Sequence, residues 1–103
     1  MNDKKLHQRN VCDLQTVLSS VPGRRVLQRI LQAAQIDQHG FVPGDPSSTA
    51  FHCGQKSIGL FLLAALEEAS PGICGQLRAE YLAELKEEQE KLNRLQKEEM
   101  NDE

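Results

Sequence analysis

At 103 residues the chain holds enough sequence for one small domain, and its 39% apolar content is led by fourteen leucines, with three Phe, one Tyr and no Trp. Helix formers of this kind, in place of the aromatic and β-branched residues that strands favour, exclude a sandwich or barrel and predict an all-α bundle of three to four helices. Twelve Lys and Arg against fifteen Asp and Glu give a net charge of −3, so no strong global field draws the protein to phosphates or an anionic bilayer.

Residues 1–10 are polar and mixed in charge, and read as a flexible N-terminal arm ahead of a helical domain over 11–83. From Val11 the apolar residues Val11, Leu14, Val17, Leu18 and Val21 line one face of a short helix, which Pro22-Gly23 is expected to end. A second helix, near 24–36, sets Val26, Leu27, Ile30, Leu31 and Ala34 on one stripe with Arg24, Arg25, Gln28, Arg29 and Gln32 away from it. The stretch Asp37 to Pro46 holds two Pro and two Gly and reads as a loop, with Phe41 and Val42 pinning it to the core.

Asp45 before Pro46 has the form of an N-cap with proline at the first helical position, with Ser47, Ser48 and Thr49 as later alternatives. The helix that follows, near 47–69, collects Phe51, Ile58, Phe61, Leu62, Ala65, Leu66 and Ala69 on one face and is expected to be central. Gly54 and Gly59 inside it each cost about 1 kcal/mol relative to Ala, a loss that close approach of another backbone would offset. Ser70-Pro71-Gly72 repeats the cap-and-proline pattern, and the last helix, near 71–98, turns Ile73, Leu77, Tyr81, Leu82 and Leu85 to the core. Residues 84–103 carry eight acids and four bases and read as a charged helical extension, with Leu85, Leu92 and Leu95 as a thin seam interrupted by Glu88.

Little in the chain has the spacing of a reactive site. Cys12, Cys53 and Cys74 show no close spacing and read as reduced, small apolar residues, and His52 beside Cys53 lacks the i, i+3 or i, i+4 relation that shared metal ligands need. His7 and His39 are far away in sequence, and Cys74 near a helix start is the one candidate for a thiol of lowered pKa. Gly54-Gln55-Lys56-Ser57 has the ending of a phosphate loop without the preceding strand or the correctly spaced glycine. The acidic pairs suit solvated helix faces. No catalytic residue, metal or cofactor is expected, and the candidate interaction residues are Arg24, Arg25, Arg29 and Lys56 as a basic patch with Leu92 and Leu95 on the extension. The N-terminus has no apolar stretch of the signal-peptide kind and the longest apolar run, Leu60 to Leu66, is too short to span a bilayer, so a soluble protein without a membrane partner is expected.

Gly23-Arg24-Arg25-Val26-Leu27, then Phe51-x-x-Gly54-Gln55-Lys56-x-x-Gly59-Leu60, then Leu62-Leu63 through Ser70-Pro71, resembles a family of small tailed-bacteriophage proteins typified by a Bordetella phage protein of unknown role. The resemblance covers roughly residues 14 to 82, with Gln55-Lys56 standing where that family usually has arginine. It implies a non-enzymatic part in the phage particle or its assembly, located in the virion or host cytoplasm, with phage structural proteins or further copies of the chain as partners. A nucleic-acid-associated packaging or ejection factor and a host-directed accessory protein are the alternatives, nucleic acid being the less favoured partner.

Overall fold

The computed structural model describes residues 2–36 and 40–101; residues 37–39, with His39 and the first part of the expected loop, lie outside them, as do the two C-terminal residues. Among the described residues there are four helices and no strand: α1 (Asp3–Leu18), α2 (Val21–Ala33), α3 (Pro46–Ala69) and α4 (Ile73–Asn101). The all-α bundle expected from composition is what forms.

Each helix starts where a side chain takes up its unpaired N–H groups. Asn2 accepts from Lys5 N at 2.8 Å, so residues 3–10, expected as a loose arm, are instead the first turns of α1. His7 on this segment pairs with Glu68 of α3, and Val11 and Leu14 pack against the core one and two turns later. Ser20 accepts from Gly23 N at 3.1 Å, which places Pro22 inside the first turn of α2. Proline there begins the second helix rather than ending the first, because its missing N–H is one of those with no intrahelical partner. Asp45 caps α3 as its sequence predicts, accepting from Ser48 N at 3.0 Å and Ser48 Oγ at 2.8 Å, and these bonds hold its carboxyl below the usual range.

The start of α4 differs from the expected serine cap. Ser70 ends α3, and Glu67, from the last turn of α3, accepts from Gly72 N at 2.9 Å and Cys74 N at 3.0 Å. Gly72, at φ +86°, makes the reversal that no side chain adopts readily, and the two helices meet at 108°. Those two backbone N–H bonds lower the pKa of Glu67.

α1 and α4 each pack on α2 and α3. The buried apolar side chains among the described residues are Leu18, Leu27, Leu31, Leu66, Ala69, Ile73 and Leu77, contributed by all four helices around the α3–α4 corner. Away from it the molecule spreads: its extents are 69 × 43 × 19 Å and its radius of gyration is 18.9 Å. A compact chain of this length has a radius of about 13 Å.

Several expected core residues lie outside this small centre. Val17, Val21, Val26 and Ile30 flank the buried leucines and remain close to half exposed, as do Leu82 and Leu85 on α4, while Tyr81 is more buried. Phe41 is exposed, and its loop is tied down by polar bonds instead, Thr49 Oγ1 accepting from Val42 N at 2.9 Å. On α3, Phe51, Ile58 and Phe61 face away from the other helices, so only the second half of α3 is central. No single helix among the described residues is long and apolar enough to cross a membrane.

Candidate interaction surface

The four basic residues of the expected patch have different fates. Arg24, with only 16% of its side chain exposed, donates through Nε to both carboxylate oxygens of Glu80 at 2.9 and 3.1 Å and through Nη1 to Leu18 O at 3.0 Å. It ties the end of α1 and the start of α2 to α4, and it is the main reason the Glu80 carboxyl is held low. Arg25 donates to Glu84 Oε1 at 2.7 Å across the same α2–α4 seam, in a pair open to water. Two members of the expected basic patch are thus already paired with acids one helical turn apart on α4, Glu80 and Glu84. Arg29 is exposed on the following turn and Lys56 is half-buried on α3, and neither has an ion-pair partner among the described residues.

Leu92 and Leu95 lie on the outer part of α4, where every described residue from Leu85 onward is exposed. They belong to the outer turns of α4, which leave the body.

A shallow cleft of about 390 Å³ opens between α2, the end of α3 and α4, with Leu31, Ile36, Leu63, Cys74, Tyr81 and Arg78 in its wall. Cys74, at the start of α4, could have been an activated thiol. Burial, together with the neighbouring Glu67 carboxylate, pushes it up to about 11, so it is protonated at neutral pH. Cys12 and Cys53 are exposed free thiols, which departs from the small-apolar-residue reading. His52 contacts its own helix, through Gln55 Oε1 at 3.2 Å and an edge-on ring contact with Phe51 at 5.6 Å. Among the described residues no three His, Cys, Asp or Glu side chains gather as a metal site would require.

The surface the sequence reading missed is apolar. On α3, Phe51 is 63% exposed, Ile58 68% and Phe61 73%, with Gly54 between them and open space where its side chain would be. Residues 51, 54, 58, 61 and 65 follow one another at intervals of three and four, the spacing of a helix–helix seam. Phe41, in the adjoining loop, is also exposed, next to Gly40, which lies against Cys53 of α3. From Pro46 to Leu66 the only charged residue is Lys56, half a helix turn round from this seam. A signal for it was available in the sequence: α3 is apolar around too much of its circumference for one partner surface to cover.

The family model for Bbp19-like phage protein matches residues 14–79, which runs from within α1 to the early turns of α4 and includes the core, the paired arginines and the open face of α3. No curated protein and no solved structure matches the chain. With more than half of its length matched, from the first core leucine position to the α4 corner, the chain belongs to the family of Bbp19-like phage proteins.

Proposed function

We infer that this phage protein is a non-enzymatic component of the particle or of its morphogenesis, working in the virion or the infected host cell through contacts with other protein subunits. The observation that carries this reading is the uncharged apolar face of α3, with two Phe and one Ile each mostly exposed. Contiguous apolar surface of this kind marks a site that another protein covers. The accessible surface supports it: 7997 Å² for 11.5 kDa compares with about 5,800 Å² for a compact monomer of that mass. Arginines drawn into pairs with Glu80 and Glu84 leave less cationic surface for a packaging factor that grips nucleic acid.

Mass spectrometry of purified particles and of assembly intermediates tests the reading, alongside a deletion of the gene. The protein is expected in one or both preparations, with fewer infectious particles in its absence. Its absence from both, together with normal particle numbers, overturns the reading in favour of a host-directed role.

A further inference from the structure

The open face of α3 has a pattern that suits one occupant in particular. Going along the seam, one small residue stands among large ones: Phe51, Gly54, Ile58, Phe61, with Ala50, Ser57 and Ala64 beside them. Gly54 has no side chain and only open space around its Cβ position, so it is a low point, a hole in the row of side chains between Phe51 and Ile58, whereas Ile58, one turn on, is a knob. Two such seams laid parallel would set hole on hole and knob on knob. Laid antiparallel, with the two-fold axis level with Lys56, they match: Ile58 of each copy enters the Gly54 hole of the other, and Phe51 of each meets Phe61 of the other.

We propose that this face is a self-complementary interface, and that two copies of the chain pair through antiparallel α3 helices in this register. Two observations favour a second copy over a different protein, and a third shows that there is surface enough for one. The seam carries no charge, so an identical face meets no repulsion, and interfaces between identical subunits are the more apolar kind. The order Phe, Gly, Ile, Phe is complementary to its own reverse, 51 meeting 61 and 54 meeting 58, as a two-fold interface requires. The surface in excess of a compact monomer, roughly 2,200 Å² from the size relation, exceeds the roughly 800 Å² per partner that a stable interface takes. Part of that excess is the outer half of α4, where Leu85, Leu92, Leu95 and Met100 stand among charged residues; the α3 seam is the part that is apolar and uncharged. The pairing does not depend on where in the phage cycle the protein acts, and a dimer found outside particles would leave it intact.

The test uses the full chain under reducing conditions, since Cys12 and Cys53 are exposed and must not link copies covalently. Sedimentation or light scattering is expected to give twice the chain mass. Phe51→Lys and Phe61→Glu, both on the surface and outside the core, should each keep the wild-type helical circular dichroism and weaken the dimer by at least roughly 30-fold. Mixed together they should restore it as a one-to-one heterodimer, because antiparallel pairing sets Lys at position 51 beside Glu at 61 while the opposite pair remains Phe on Phe. A wild-type chain that stays monomeric up to its solubility limit overturns the proposal and assigns the face to a different subunit. Variants that remain dimeric overturn it by placing the contact elsewhere, and a mixture that stays monomeric overturns the antiparallel register. Should either charged variant lose helicity, Phe51→Ser and Phe61→Ser, read by the same dilution series, decide whether the face is the interface.

Discussion

The two halves of α3 are made of similar residues and have opposite surroundings. From Gly59 to Ala69 one side of the helix is buried in the bundle, and Leu66 has no exposed surface at all, while Phe61 on the other side continues the open face. From Pro46 to Ile58 no residue is buried, and Phe51 and Ile58 are turned to solvent. Hydrophobicity alone does not separate these halves; what does is the presence of a partner element close enough to bury them, and the short α2 supplies one only as far as its C-terminal end. The contrast predicts that Leu66→Ala removes about 2–5 kcal/mol from the stability of the chain. Phe61→Ala, measured where the protein is monomeric, should shift stability by no more than about 0.5 kcal/mol. Urea unfolding of the two variants checks this, and similar losses from both would mean that Phe61 is enclosed.

The two glycines sharpen the same comparison. A Cβ on Gly59 would come within 2.5 Å of both Ala34 Cβ and Ile36 Cγ2, and the alanine, fixed at the end of α2, has no rotamer by which to retreat. Gly59→Ala should therefore destabilise by about 1–3 kcal/mol, as overpacking does. Gly54→Ala has room and should stabilise the monomer by about 1 kcal/mol through helix propensity. Opposite signs in thermal unfolding at low protein concentration are the expected result; equal signs would show that the halves of α3 are not differently enclosed.

Legibility from sequence followed range. The helices, the Asp45-Pro46 cap and the leucines of the centre are local signals, since periodicity and capping act over a few residues. Even locally, Pro22 was ambiguous, because the same residue ends one helix or begins the next, and Ser20 two positions earlier decides it. The pairing of Arg24 with Glu80 joins residues far apart in the chain, so an arginine pattern that resembles a free patch is indistinguishable from one that is already matched. The open face of α3 was misread as core for the complementary reason: an apolar stripe states that something will cover it, without stating which chain.

Glu67 links the enclosed half of α3 to α4, and it titrates. Its folded pKa is lowered, by Gly72 N–H first and Cys74 N–H next, so its contribution to stability is complete above the ordinary carboxylate range and disappears as pH falls through the folded value. Glu67→Gln should be less stable than the wild type at neutral pH, and the two should converge in acid. A stability difference that persists unchanged from neutral pH to pH values below the folded pKa would mean that the carboxylate charge is not what holds the corner.

The smallest effect is expected at the far end of α4. Truncation after Ala83 removes Leu85, Leu92, Leu95 and Met100, all about half or more exposed, and the solvent-open pair between Arg25 and Glu84. It leaves Ile73, Leu77 and the Arg24–Glu80 contact in place. Exposed ion pairs contribute about 0–1 kcal/mol, and the stability of the body should fall by no more than about that amount. Its dimer should survive as well, since the α3 seam lies outside the deleted segment. Loss of the dimer with the fold intact would transfer the pairing from α3 to the leucine seam of α4, and unfolding of the body would show that the outer helix completes a core which the first 83 residues cannot close alone.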